Sequence, residues 1–416
     1  MRVCLISPGH LTTNPRLVKE ARALVDAGHD VSVVCGRYID WAWAMDKTLV
    51  DPRWTVTHVP FGPTEAPQWI YVLQTVRREA ARALARAGMS SCTIFEAAQG
   101  PPVRALGCAA AAVPADLYIA RYVAGLPAAA RAARIRHAAY AFDAEDFHLG
   151  DLPDAPEHAF EKATIRTIEH RYLPGTAYVT AASPMIADAY ADTYDIRRPK
   201  VVLNVFPRSN GPPSPTPGGT ATPGPSLYWF SQTIGAGRGL ETAVEAISIA
   251  TSAPHLYLRG TAAVGYADKL SRLARQYGVE ERLHIMGPET PDEMERLGSH
   301  YDLGYVGEHA ETVNRRIALT NKLFSYLVGG VPIVATDIPA HQLIEPQLGE
   351  AMTLFPIGNA SALAAALDRI LMDPDRLARA RAHAWHLGQK RYCWEVEKKA
   401  FLEAVDTAVS GPGNAN

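Results

Sequence analysis

No run of apolar residues in the 416-residue chain approaches the length of a bilayer crossing. The most apolar stretches, such as Val328 to Val334, fall far short of the roughly 20 residues a spanning helix needs. An export signal is not expected either. Met1 to Ile6 is a short strand-like run, and Gly, His and Asn follow it at once instead of a long apolar region. Cysteine is scarce: Cys4, Cys35, Cys92, Cys108 and Cys393, with no CxxC pair, which removes the usual zinc and dithiol patterns. A reducing, cytoplasmic setting is expected, with Cys4 and Cys35 as buried free thiols inside strand-like runs. An excess of charge is also missing. With 41 basic against 43 acidic residues the chain lacks the basic balance of a nucleic-acid binder. What is present is apolar bulk, 48% of residues, enough for the cores of the two domains that this length suggests.

The chain alternates strands and helices. Arg2 to Ile6 reads as a buried parallel strand and Pro15 to Ala27 as a helix, with Pro at its start and Gly28 just past its end. Asp30 to Cys35 reads as the next strand, so the unit is βαβ and the sheet parallel. Further strands are expected at Thr55 to Val59, Leu117 to Ala120, Ala139 to Asp143, Tyr178 to Ala181 and Val201 to Asn204. The Pro- and Gly-rich stretch from Pro207 to Pro225 has the composition of a stiff, solvated connector. A second series follows, with strands at Leu227 to Phe230, His255 to Arg259, Leu283 to Met286, Leu303 to Val306 and Val331 to Thr336. The expected organisation is α/β: a domain over 1–207, a linker over 208–226, a second domain over 227–393, and a C-terminal helix and tail over 394–416 returning to the first domain. Both domains read as Rossmann-like, doubly wound parallel sheets facing a cleft at their carboxyl edges, where open sheets bind ligands.

Two segments carry anion chemistry. Ser231 to Ala246, SQTIGAGRGLETAVEA, follows a strand and opens a helix; small residues allow close approach of a phosphate, and Arg238 could pair with a diphosphate. A glycine-rich turn with a solvated arginine is an equal reading on spacing alone. In Asn314 to Pro339, Lys322 begins a helix, where a cation is disfavoured unless an anion offsets it. Lys322 could also be a solvated lysine and Asn321 only an N-cap. Glu308, just after a strand, could accept hydrogen bonds from sugar hydroxyls or be an ordinary loop charge. In the first half, FDAEDFH (Phe142 to His148) crowds Asp143, Glu145 and Asp146 at a strand end. They could bind sugar hydroxyls, act in acid–base work or hold a metal; Asp143 could instead cap the next helix.

From SPGHLTTNPRLVKEARALVDAGHDV at the start, through DLYIARYVAGLPAAARAA, FDAEDFH and LTNKLFSYLVGGVPIVATDIP, to the helix WEVEKKAFLEAV, the order and spacing of segments resemble the GT-B glycosyltransferases, in particular the large retaining family 4 and a bacterial subgroup of it. The resemblance implies transfer of a sugar from a nucleotide diphosphate sugar to an acceptor. The second domain would bind the donor, UDP being the commonest base in the family, with no other cofactor and no metal. Arg238 and Lys322 would hold the diphosphate, approached by the loop around Gly9. The nucleotide and sugar would meet Ser231, Gly260, Ile285, Met286, Asn314, Asn321 and Ser325, and the acceptor side would include Asp143, Glu145 and Asp146. Arg121 stands where the family often has a histidine, and with Glu308 it is the candidate catalytic residue. Ser325 and Ile317 stand where the family has its paired glutamates; Glu308 or Asn314 and Arg315 could substitute.

Those departures keep two alternatives open: a nucleotide-sugar epimerase of the same fold, or a transferase-like partner protein without catalysis. The acceptor, whether small molecule, glycan or lipid-linked, is not identified by the sequence. Arg77, Arg78, Arg82 and Arg86 recur at helical spacing. Such a face could contact anionic lipid at the inner membrane surface, although a solvated helix face is the commoner reading. Trp41, Trp43, Trp69 and Tyr71 could line an acceptor pocket or belong to a core or lid.

Overall fold

A computed structural model of the chain describes residues 1–100, 102–219, 222–290, 293 and 296–409. Linker residues 220–221 and tail residues 410–416 lie outside the described residues. The chain divides into two compact units: Met1–Val202 together with the segment from Lys398 onward, and Leu203–Glu397.

The first unit is built on β1 (Arg2–Ser7), β2 (Asp30–Arg37), β3 (Thr55–Pro60), β4 (Leu117–Arg121), β5 (Ala139–Ala144), β6 (Val179–Ala181) and β7 (Lys200–Val201). They form a parallel sheet in the order β3-β2-β1-β4-β5-β6-β7. Its central strands are buried on both faces, which is why they read as unbroken apolar runs. The helix Pro15–Asp26 starts as its sequence dictates. Pro15 supplies the fixed φ, and the Asn14 side chain accepts a hydrogen bond from the Leu17 N–H at 3.0 Å. Gly28, just beyond its end, has φ of +84°.

In the second unit β8 (Ser226–Ile234), β9 (His255–Ala262), β10 (Leu283–Met286), β11 (Leu303–Val306), β12 (Ile333–Thr336) and β13 (Met352–Phe355) run parallel in the order β10-β9-β8-β11-β12-β13. Leu227, Trp229, Val244, Ile247 and Leu258 centre its core. In both sheets the strand order reverses once, at β1/β4 and at β8/β11. Such a reversal parts the connecting loops and opens a crevice at the carboxyl edge.

The expected connector behaves differently from its composition. It belongs to the second unit, and its described part is fastened there. Arg381 Nε donates to the Thr216 carbonyl at 2.7 Å and Trp385 Nε1 to the Pro212 carbonyl at 2.9 Å, so the boundary falls at Leu203 instead of in the proline-rich stretch. The helix Trp394–Val409 begins in the second unit and ends in the first, where Lys200 Nζ pairs with Glu403 at 2.7 Å. No helix of the described residues is long and apolar enough to cross a membrane.

Candidate functional site

The loops leaving β8 and β11, at the reversal of the second sheet, bring three cations to one carboxylate. Arg238, from the β8 loop, places Nη1 2.9 and 3.0 Å from the two Glu308 oxygens. Arg315, on the short helix Val313–Ile317, lies at 3.4 Å, and Lys322, on the helix Asn321–Val328, at 3.5 Å. Glu308 follows β11 directly and is 1% exposed. Lys322 Nζ also lies 5.3 Å from the centre of the Trp229 ring, whose face favours a cation.

Glycine geometry sets this arrangement. Gly239 takes φ of +64°, and a Cβ there would stand 2.4 Å from the Gly307 carbonyl oxygen. The Tyr305 hydroxyl donates to the Gly239 carbonyl at 2.7 Å. Only a residue without a side chain lets the β8 loop lie this close to the β11 loop, which puts Arg238 beside Glu308.

The electrostatics are lopsided. Three cations against one carboxylate leave a net charge of two positives. Burial alone would raise the Glu308 carboxyl, but Lys322, Arg238 and Arg315 outweigh it and hold it below the usual carboxylate range. Burial pushes the Lys322 ammonium down to about 8, with Arg238 and Arg315 adding to the effect and Glu308 opposing it. Arg238 uses one guanidinium nitrogen on Glu308, and its Nε and Nη2 have no hydrogen-bond partner among the described residues. A diphosphate has the charge this cluster lacks.

The remaining expected donor residues are more scattered. Ser231 and Gly260 pack backbone to backbone where β8 and β9 slip register; a Cβ on Gly260 would stand 2.2 Å from the Ser231 carbonyl oxygen. Ile285 and Met286 are half-buried on the edge strand β10. Asn314 and Ser325 are buried. Asn321 is not an N-cap: Thr320 occupies that position and Asn321 is the exposed first residue of its helix. Thr336 and His341, absent from the sequence reading, adjoin the cluster. Thr336 Oγ1 donates to the Glu308 carbonyl at 2.8 Å, and His341 Nδ1 bonds the Thr336 carbonyl at 2.7 Å. Burial lowers His341 to about 4, so its ring is neutral.

In the first unit Arg121 and Asp143 lie in a buried ion-pair network. Arg121 Nη1 lies 2.9 Å from Asp143 Oδ2, and Nη2 pairs with Glu20. Arg16 grips Asp143 through Nε and Nη2 at 2.9 and 2.8 Å, and Thr180 Oγ1 donates to it at 2.6 Å. Arg16, Glu20, Arg121 and Asp143 are all buried and pair with one another, although Arg121 Nε has no hydrogen-bond partner among the described residues. Burial works to raise Asp143, and Arg121 with Arg16 outweighs it and holds it low. This network ties the first helix to β4 and β5. Glu145, 3.8 Å from Arg121 and a quarter exposed, and Asp146 stand at its rim.

Gly9 sits in the loop after β1, bonded through its N–H to Ser7 Oγ at 3.1 Å and through its carbonyl to the Gly36 N–H at 3.2 Å. His10 props this loop. Its Nδ1 meets Asp46 at 2.7 Å, and its Nε2 accepts the N–H groups of Tyr38 and Ile39, both at 3.1 Å. Gly9 and Tyr38 lie on the wall of a cavity of about 1880 Å³ lined by this unit alone, as do Tyr71, Arg77, Arg78 and Tyr122. Tyr122 has φ of +55°, a strained value for a non-glycine residue. Arg82 and Arg86 instead cover the Phe160 ring at 5.8 and 5.3 Å, so the expected basic face is divided between a cavity and a packing contact. Trp43 stacks edge-on with His58 beneath Arg37, while Trp41 and Trp69 are exposed.

Among the described residues no group of His, Cys, Asp and Glu converges as metal ligands would. Two doubly wound parallel-sheet units are the architecture of the GT-B class. Residues 13–205 match the model of a glycosyl transferase 4-like domain and residues 225–373 that of the glycosyl transferases group 1; the chain belongs to this family. Among solved structures it resembles Anabaena HepE in complex with UDP-glucose, at 16% identity and a TM-score of 0.70 over 98% of this chain and 100% of that one. It also resembles the sucrose-phosphate synthase of Thermosynechococcus elongatus, at 15% identity and a TM-score of 0.73 over 99% and 100%. A search of curated protein sequences returns no match.

Proposed function

We propose that the protein transfers a sugar from a nucleoside diphosphate sugar, with UDP as the nucleotide, to an acceptor held by the first unit, retaining the anomeric configuration. The observation that carries the reading is the cluster of Arg238, Arg315 and Lys322 around the single buried carboxylate of Glu308. Its surplus positive charge stands at the sheet reversal, where nucleotides bind in this class of fold. The structural likeness to a protein in complex with UDP-glucose supports the choice of donor.

As the bond between the anomeric carbon and the diphosphate oxygen breaks, negative charge grows on the leaving phosphate. Arg238 and Lys322 stabilise it from a site fixed beforehand, without a metal. Glu308 is then a positioning residue: it aims Arg238 and keeps Lys322 protonated near neutral pH, and it is too enclosed to meet a sugar hydroxyl. No side-chain nucleophile is needed. The acceptor hydroxyl attacks from the face the diphosphate leaves, and the departing phosphate oxygen takes its proton.

Incubation with a panel of nucleoside diphosphate sugars and candidate acceptors should release UDP only when an acceptor is present, and NMR of the product should show the donor's anomeric configuration. Epimerised sugar formed without an acceptor would favour the epimerase alternative, and donor binding with no turnover on any acceptor the non-catalytic one.

A further inference from the structure

The cavity of the first unit carries more charge than its surroundings neutralise. It is lined by Arg77, Arg104, Arg131, Arg134 and Arg171, all exposed, and none of these has a carboxylate within ion-pair distance among the described residues. The one acidic side chain on its wall, Glu96, is occupied by the Tyr172 hydroxyl at 2.5 Å and the Cys92 thiol at 3.4 Å. Five unneutralised arginines around one hollow repel one another, and a polyanion is the natural counter-charge. Gly9, on the same wall, belongs to the loop at the β1/β4 reversal, so the hollow reaches the edge of the sheet where ligands bind.

One wall of the cavity is the helix Gln68–Arg86, of which only Ala81 is buried. Trp69, Val72, Leu73 and Val76 form a stripe at helical spacing on it, with Trp69 69% and Leu73 and Val76 each 60% exposed. Leu73 belongs both to this stripe and to the cavity lining, so the stripe adjoins the arginine-lined hollow. An apolar stripe in water beside an unneutralised basic hollow matches one kind of molecule, an amphiphile with an anionic head.

We propose that this cavity is the acceptor site and that the acceptor is a phosphate- or diphosphate-bearing lipid: its charged head among the arginines, its chain along Trp69, Leu73 and Val76. The inference rests on the transferase reading above. In the reaction a hydroxyl on the head-group portion forms the new bond to the anomeric carbon, the bond to the donor diphosphate breaks, and the nucleoside diphosphate leaves with the electron pair and the hydroxyl proton.

The test is calorimetric titration of the full chain with farnesyl diphosphate, inorganic pyrophosphate and farnesol, with UDP binding measured in parallel. Farnesyl diphosphate should bind roughly tenfold or more tighter than either half alone. Arg131→Glu with Arg134→Glu, and separately Leu73→Asp with Val76→Asp, should each weaken it about tenfold or more while leaving melting temperature and UDP affinity unchanged. All four positions are exposed apart from Leu73's share in the wall, so the fold should tolerate them. Arg238→Ala with Lys322→Ala should leave farnesyl diphosphate binding intact. Pyrophosphate binding as tightly as farnesyl diphosphate would show a site for free phosphate, and farnesol binding as tightly would show an apolar site; either overturns the proposal. Loss of farnesyl diphosphate binding in the Arg238/Lys322 variant would place the probe in the donor site and also overturn it. Normal UDP binding with no binding of the probe sinks this inference alone. Binding of the probe without UDP binding removes the acceptor role together with the transferase reading.

Discussion

Lys322 Nζ lies 3.5 Å from Glu308 Oε1, two opposite charges almost wholly enclosed, and Arg238 meets the same oxygen at 2.9 Å. The pair is unequal: one carboxylate serves three cations, Arg238, Arg315 and Lys322. The second unit therefore holds a surplus of positive charge, which in the proposed reading a diphosphate neutralises. Charge-assisted contacts of this kind contribute about 1.5–3 kcal/mol each. Arg238→Ala or Lys322→Ala alone should weaken nucleoside diphosphate binding by about 10- to 100-fold, and the double variant should lower turnover by about three orders of magnitude or more. Steady-state kinetics and calorimetry check this, with melting temperature as the control for folding.

The pH profile follows from Lys322. Its folded pKa of about 8 lies below its ordinary 10.5, so it loses its proton as pH rises through about 8. An anionic ligand needs the charged form, so UDP affinity should fall above pH 8, by at most about tenfold per pH unit. Without ligand the trend in stability is the opposite. Between about 8 and 10.5 the unfolded chain holds the proton that the folded one has released, so this group's contribution to stability rises with pH over that window. Lys322→Arg should remove the bend in UDP affinity, measured by calorimetry from pH 7 to 9.5.

Glu308→Gln takes away the one counter-charge. Leaving buried cations unpaired costs about 3–5 kcal/mol, so the melting temperature should fall by roughly 10 °C. UDP should restore part of that loss, because its diphosphate supplies the missing negative charge. Without Glu308 to favour the ammonium, the fall in UDP affinity should begin at a lower pH. A variant as stable as the parent protein would contradict the positioning role.

Arg121→Ala separates a structural clamp from a catalytic group. It leaves Glu20 and Asp143, both buried, with Arg16 as their one remaining guanidinium partner, and should lower the melting temperature by on the order of 10 °C. A catalytic arginine that only met substrate would leave stability unchanged and lower turnover alone. Differential scanning fluorimetry decides between the two.

Much of the architecture was legible because parallel strands buried on both faces are continuous apolar runs. Leu283–Met286 and Leu303–Val306 fall where the sequence places them. Met352–Phe355 was missed, being four residues of mixed character after a helix that contains Pro346. The connector was misread because composition reports solvation and not the partners Arg381 and Trp385, which arrive some 170 residues later. In the second unit, Arg238, Glu308 and Lys322 could be named from spacing, but their convergence depends on Gly239 lying against Gly307, which no spacing displays. Arg121 was read as a candidate catalytic residue because it stands where the family often has a histidine, and Asp143 as an acceptor-side carboxylate or helix cap; their burial in one ion-pair network was not read. The signal for it was Arg16 and Glu20, an i,i+4 charged pair in a helix whose other face must also pack, which supplies their buried partners.

The most direct test of the account is the thermal stability of the protein with and without nucleoside diphosphates. A ligand at about 100 times its dissociation constant stabilises by about 2.7 kcal/mol. UDP should therefore raise the melting temperature by several degrees, and Arg238→Ala with Lys322→Ala should abolish the rise. A rise that survives in the double variant, or no rise with any nucleoside diphosphate at millimolar concentration, would contradict the assignment of the donor site to this cluster.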